Sequence, residues 1–274
     1  MLDISSHHIA DNDWYNAEMA KSLIDKIYFL DKVDAHMFVD FGCANGVMLG
    51  FIEKVFPGLT LVGYDVNQEM IQMARERDLG SSVVYTSDWT EVVRLVKEYK
   101  ATAPSDDNKV CLVLSSLLHE LHSYLDEAEK QDAYKKIWGE EGIEFDYIAI
   151  RDMMASRAAS RPSDPIAVAR VEQVFEKEHP GLLQQWKSRW GDLSENWSLL
   201  HFLLKYRYVR NWDREYRENY LPHNYEDFMA SIPAKYMPIY KDHFTLPFLR
   251  REVKKRFELP LTDATHIKLV LELL

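Results

Sequence analysis

The feature that most constrains this chain is a regular alternation of short apolar runs with amphipathic segments. The runs are HMFVDFG, LTLVGYD, SVVYTSDW, VCLVLSSLLHEL and FDYIAIRDM. Each has the length of a strand. The fourth is apolar at successive positions, as a strand buried on both faces of a parallel sheet should be. Between them lie GVMLGFIEKVF, NQEMIQMARER, TEVVRLVKEYK and DEAEKQDAYKKIWGE, with apolar residues at helical spacing. Strands alternating with helices over this many units predict an open, doubly wound, Rossmann-like α/β sheet with helices on both faces.

Two more strands complete the expected sheet. YMPIYKDHFTL and THIKLVLELL flank a helix, PFLRREVKKRFE, with Pro247 in its first turn. That gives seven strands, mostly parallel. A helix is also expected before the sheet, from about Asp13 to Leu30, with Ile24, Ile27, Tyr28 and Leu30 on its apolar side. After Arg151 the pattern changes, and the stretch to Tyr220 holds helical, aromatic-rich segments in place of strands. The expected division is therefore residues 1–154 for the first part of the core, 155–220 for a helical insertion after the fifth strand, and 221–274 for completion of the sheet.

Composition narrows the function classes. The 274 residues suffice for one large domain, or for a core domain with an insertion. With 47% hydrophobic and 28% charged residues, the chain is globular in character. A formal net charge of -11 gives no general attraction to nucleic acid or to anionic membranes. Cys43 and Cys111 lie in apolar surroundings with no partner at metal-ligand spacing, which fits a reduced, cytoplasmic protein. The first residues show no signal peptide, and no apolar run reaches membrane-spanning length.

The turn after the first strand, VDFGCANG, places Gly42, Ala44 and Gly46 in a G-x-A-x-G pattern. The dinucleotide fingerprint needs a third glycine one position later, where this chain has Val47. Asp40 precedes the turn, and a carboxylate there suits a cationic ligand better than a pyrophosphate. This disfavours a nicotinamide-linked dehydrogenase. Asp65 ends the second strand about 20 residues on, where an acid can accept both hydrogen bonds of a ribose diol. Asp88 follows the third strand, where it can bond an exocyclic amine with Trp89 against a base. Asp88 can equally be a plain helix N-cap, and the glycines a plain turn.

VDFGCANG, LVGYDVNQEM and YTSDW together resemble the successive cofactor-binding segments of class I S-adenosylmethionine-dependent methyltransferases. The resemblance covers roughly Phe38 to Asp152 and the last two strands, whose antiparallel ending is typical of that family. It implies S-adenosyl-L-methionine as cofactor. Asp40, Gly42, Cys43, Ala44, Asn45 and Gly46 would lie against the methionyl part, and Asp65, Val66 and Asn67 around the ribose. Ser87, Asp88 and Trp89 would lie at the adenine, Ser115 and Ser116 near the sulfonium, and Tyr15 (or Trp14) on a covering helix. Ala44 departs from the family's usual middle glycine.

The acceptor is less determined. His119 can take a proton from a hydroxyl or amine, although alignment and desolvation alone can support methyl transfer. Arg151 and Asp152 can orient a polar substrate or pair with each other. No metal site is expected, and His7-His8 reads as an incidental pair. In the insertion, Lys187, Arg189, Lys205, Arg207, Arg210, Arg214 and Arg217 alternate with aromatics. That suits RNA. It also suits an amphipathic lid with Phe202, Tyr206, Val209 and Trp212 inward and Asp213, Glu215 and Glu218 solvated. Interspersed acids favour the lid. The expectation is methyl transfer to an oxygen or nitrogen of a small-molecule acceptor. RNA methylation and a noncatalytic methyltransferase-fold binding module are the alternatives, and the oligomeric state is open.

Overall fold

A computed structural model describes residues 22–77, 81–105 and 107–274. Its centre is a seven-stranded sheet in the order β3-β2-β1-β4-β5-β7-β6, a mostly parallel, Rossmann-like arrangement. The strands are β1 (Met37–Phe41), β2 (Thr60–Tyr64), β3 (Val84–Thr86), β4 (Val110–Ser115), β5 (Tyr147–Met153), β6 (Tyr236–Phe244) and β7 (His266–Leu273). The first five run parallel, β7 is antiparallel to β5, and β6 is antiparallel to β7. All seven β5 residues are buried, in keeping with a central strand. β6 is the exposed edge. There Pro238 stands at a register shift and Lys241 is solvated, two devices that discourage further strand pairing.

The helices that follow the first four strands are α2 (Val47–Val55), α3 (Gln68–Arg77), α4 (Trp89–Thr102), α5 (Leu118–Tyr124) and α6 (Glu127–Ile137). Alternate β1 side chains separate two apolar clusters. Met37, Val39 and Phe41 pack with α4, α5 and α6, while Phe38 packs with α2 and α3. Chain order reverses between β1 and β4, which opens a crevice at their carboxyl ends.

Between β5 and β6 the chain forms α7 (Pro165–Glu178), α8 (Leu182–Trp190), α9 (Asn196–Lys205), α10 (Trp212–Glu215) and α11 (Tyr225–Ser231). Phe175, Trp186, Phe202, Tyr206 and Trp212 build a third apolar cluster there. Leu249, Val253 and Phe257 join it from α12 (Pro247–Phe257). Phe228 of α11 instead packs against the sheet.

Two expectations need correction. In the described part of the expected N-terminal helix, α1 spans only Leu23–Lys26, and a 3-10 turn follows at Tyr28–Asp31. Tertiary contacts override the helical pattern. Phe29 is fully buried, and the Tyr28 hydroxyl reaches Ile150 O (2.8 Å) and Leu269 O (2.7 Å), bridging β5 and β7. Trp14 and Tyr15 lie outside the described residues, as do His7 and His8. The second correction concerns the residues expected on the solvated face of the helical stretch after β5. Glu215 and Glu218 are each only 1% exposed, whereas Asp213 is exposed as expected. α9 ends at Lys205, and the chain folds back so that the carbonyls of Glu215 and Glu218 accept from the Lys205 ammonium.

Candidate functional site

The crevice opens into a cavity of about 740 Å³. One end is built mainly by the sheet and the glycine turn. Gly42, Ala44 and Gly46 all adopt positive φ, at 86°, 46° and 72°. The turn is tied down by the N–H groups of Gly42 and Cys43, which both donate to Tyr64 O at 2.7 and 3.0 Å. A Cβ on Gly42 would meet Leu117 at 2.6 Å, and one on Gly46 would meet the Tyr85 ring at 2.5 Å. Both glycines therefore serve the turn's own packing as well as any ligand.

Asp65 holds this end together. Its carboxylate accepts from Ala44 N (2.9 Å) and Asn67 N (2.9 Å), joining the glycine turn to the start of α3. Asp65, Val66 and Asn67 all line the cavity, with Val66 61% exposed at its mouth. Asp40 lies within β1, not after it, and is buried against the cavity. Burial pushes its carboxyl up to about 7, with Asp65 adding to the shift and Lys26 opposing it. Lys26 of α1 also lines the cavity. Burial, with Arg151 nearby, brings it down to about 8, against the pull of Asp40.

Arg151 and Asp152 do not pair with each other, because successive strand residues face opposite ways. The Arg151 guanidinium donates to Asp25 (3.0 Å) and to Ser116 Oγ (2.9 Å). Lys268, directly opposite Arg151 on β7, pairs with the same Asp25 at 2.5 Å. One acid thus relieves two facing cations and ties α1 to the sheet.

Asp152, 1% exposed, supports α5 from behind. It accepts from Leu118 N (2.6 Å), its neighbour Met153 N (2.7 Å) and His119 Nδ1 (2.8 Å). The pair fixes the imidazole orientation and leaves Nε2 as its proton acceptor. Burial opposes a charge on His119, yet Asp152 outweighs it and raises the imidazole above its ordinary value. Burial likewise opposes ionisation of Asp152, but His119 and the Met153 N–H hold it below the usual carboxylate range. His119 lines the cavity, and the Tyr220 ring meets it edge-on at 4.9 Å.

The other end of the cavity comes from the helices after β5. Arg214 donates to Glu120 (2.9 Å) and Glu218 (2.8 Å), and Tyr124 OH donates to Glu218 at 2.5 Å. Behind them Lys205, 0% exposed, lies 4.3 Å from the Tyr220 ring centroid and 5.6 Å from those of Trp186 and Trp190. Burial lowers Lys205 to about 7, although Glu218 and Glu215 pull the other way.

Of the expected cofactor residues, Asp40, Gly42, Cys43, Ala44, Asn45, Asp65, Val66, Asn67, Ser115 and Ser116 line this one cavity. Gly46, Ser87, Asp88 and Trp89 are not among the lining residues. Asp88 caps α4, accepting from the Thr90 backbone (2.8 Å) and hydroxyl (2.6 Å). Trp89 is buried against Phe41, Tyr64 and Phe145. Lys26, Tyr124, Arg207, Tyr208, Arg214, Glu218, Tyr220 and Phe248 join the site without having been singled out for it. The Arg214–Glu218 pair has the spacing of helical neighbours, a readable signal. Its link to Glu120 spans 94 residues and has none.

The basic residues between Lys187 and Arg217 are largely engaged within the protein. Lys187 pairs with Glu172 and Asp192, and Arg189 stacks on Trp190 and donates to Arg217 O. Among the described residues, no three His, Cys, Asp or Glu side chains gather as a metal site, and no helix is long and apolar enough to cross a membrane.

No known family profile matches the chain, and no curated protein matches it. Several solved structures are similar. A SAM-dependent methyltransferase from Anabaena variabilis is 12% identical over 94% of this chain and 84% of its own, with a TM-score of 0.47. The plantazolicin methyltransferase BpumL, in complex with a pentazolic desmethylPZN analog and SAH, is 13% identical over 98% of this chain and 89% of its own, at 0.45. LepI in complex with SAM is 11% identical over 92% of this chain and 46% of its own, at 0.42. The likeness is one of outline, and the chemistry of the site is that of its own residues.

Proposed function

We propose that this chain is a class I S-adenosylmethionine-dependent methyltransferase acting on an oxygen or nitrogen of a small-molecule acceptor. In this reading the sheet is doubly wound and the helices after β5 are an inserted lid. The observation that carries the proposal is the convergence in one cavity, at the sheet's switch point, of Asp65, buried Asp40 and the Asp152-backed His119.

The residues present fit the cofactor. Asp65 lines the cavity beside the glycine turn, where a carboxylate suits the hydroxyls of a ribose diol. Asp40 can balance the sulfonium and ammonium charges. Ser115 Oγ is buried without a hydrogen-bond partner and lines the cavity, a polar atom waiting for one. Asp88 is the exception, because its helix-capping bonds favour a structural role over adenine recognition.

S-adenosylmethionine, when bound, supplies an electrophilic methyl group on a sulfonium. The protein's part is to align the acceptor and exclude water. His119 Nε2 would take the acceptor's O–H or N–H proton when the methyl group is transferred, the methyl–sulfur bonding pair staying on sulfur as a neutral thioether. Asp152 holds the tautomer and stabilises the imidazolium that results. The RNA alternative loses support from the engagement of Lys187, Lys205 and Arg214 inside the protein.

The test is calorimetric titration with S-adenosylhomocysteine, the product cofactor, against the parent protein and Asp65→Ala. Loss of a charge-assisted bond pair should weaken binding at least about tenfold. Unchanged affinity in the variant would remove the ribose assignment, and no binding to the parent protein would overturn the proposal.

A further inference from the structure

Resting on the methyl-transfer reading, we infer that His201 is a positioning residue for His119, acting through Tyr220. His201 lies on α9, 3% exposed, with the Trp186 and Trp190 rings of α8 each 4.7 Å from its own. Its Nε2 accepts the Tyr220 backbone N–H at 3.0 Å. That donor fixes the tautomer, because only an unprotonated ring nitrogen can accept. His201 is therefore neutral, with its proton on Nδ1. The setting enforces that state. Burial, with Lys205 one turn further along α9, holds the imidazole well below its ordinary value, and the Glu218 carbonyl offsets this only in part.

Tyr220 is gripped at several points. Its N–H is held by His201, and its hydroxyl donates to Glu215. The preceding N–H, that of Asn219, donates to Ser123 Oγ at 2.8 Å. Ser123 Oγ in turn donates to the His119 carbonyl at 2.7 Å, so the segment is fastened to the helix that carries the base. Held this way, the Tyr220 ring stands edge-on to the imidazole, with centroids 4.9 Å apart and planes at 74°.

Asp152 fixes His119 through Nδ1. Tyr220 adds the wall against which the imidazole rests, which keeps the ring from swinging and keeps water from the Asp152 bond. A base that must meet a proton within hydrogen-bond reach depends on such restraint. His201 itself does not line the cavity, so its effect on the base passes through Tyr220.

The experiment follows the His119 Nδ1–H by NMR in the isotope-labelled full chain without added cofactor, assigned by its absence in His119→Gln. Its exchange with water is compared among the parent, His201→Leu and His201→Gln, whose amide oxygen stands in for Nε2 as acceptor. Exchange should be at least about tenfold faster in His201→Leu and return to within about twofold of the parent in His201→Gln. Backbone amides of β5, read in the same samples, should keep their parent rates. Tyr220→Leu, which leaves α9 intact, should match His201→Leu, and it decides the matter if His201→Leu does not fold. Unchanged His119 exchange in either folded leucine variant overturns the inference, and so does a parent signal that shows no protection. Acceleration shared equally by the β5 amides marks a merely structural role and overturns it too, as does a failure of His201→Gln to restore protection. Calorimetry with S-adenosylhomocysteine stays separate: no binding there strikes the methyl-transfer reading, whereas the exchange result strikes only the positioning role.

Discussion

The two ends of the cavity are made in different ways. The sheet-built end is mostly backbone geometry. Three positive-φ residues within five positions shape the turn, and Asp65 fastens it through main-chain N–H groups. The helix-built end is mostly side chains. Glu120, Arg214, Glu218, Tyr124 and Lys205 hold each other across as many as 94 residues of sequence. A backbone site is fixed by local sequence and forgives little at its glycines. A side-chain site is fixed by the whole fold and forgives little at its charges.

If that contrast is right, the largest effect should come where the side-chain end meets the chemistry. Asp152→Asn keeps the shape but no longer dictates the His119 tautomer, so methyl transfer should drop about 10³-fold or more. Cofactor affinity measured by calorimetry should barely change. Equal losses in rate and affinity would place Asp152 in the scaffold alone.

Next comes Lys205→Ala, which leaves the Glu215 and Glu218 carbonyls without their donor and a void among three aromatic rings. About 2–5 kcal/mol of unfolding free energy should be lost in denaturant titration. Burial lowers the Lys205 folded-state pKa from 10.5 to about 7, so the unfolded chain binds the extra proton between those values. The Lys205 contribution therefore favours folding above pH 10.5 and is lost as pH falls through 7. Lys205→Ala should remove that slope.

At the backbone end, Gly42→Ala forces a side chain into φ 86° against Leu117. About 1–3 kcal/mol should be lost in the same denaturant measurement, with cofactor affinity falling in parallel. A loss of affinity without loss of stability would mean that Gly42 serves the ligand more than the turn.

The smallest expected effect is a pH dependence. Asp40 is raised to about 7 by burial, so its proton favours the folded state. Its contribution to stability is present below pH 3.8 and lost as pH rises through 7. A cationic ligand has the opposite preference, because it needs the carboxylate. Cofactor affinity should therefore rise about tenfold from pH 6 to pH 8, with proton release seen by calorimetry in buffers of different ionisation enthalpy. Asp40→Asn should flatten that rise.

The same contrast explains what was legible in the sequence. The alternating elements, the glycine turn and Asp65 are local patterns, and the sheet and the cavity's first end follow them closely. Asp88 shows the weakness of a local pattern, because an acid after a strand is also the natural cap of the next helix, and here it makes those bonds. Glu215 and Glu218 read as solvated because helical periodicity was extended past Lys205. What ends α9 there is the capture of the Lys205 ammonium by carbonyls 10 and 13 residues ahead, a contact with no periodic signature. Tyr28 ends a helical pattern in the same way, through bonds to strands more than 100 residues away.

Lys205 has one more consequence. An amine brought down to about 7 has a larger unprotonated share at neutral pH than an ordinary surface lysine, and only that share is nucleophilic. Enclosed by three aromatic rings, it is screened from any acylating reagent in bulk water. Acylation of that amine should therefore require the packing of α8 and α9 around it to loosen, and its rate would report on that packing.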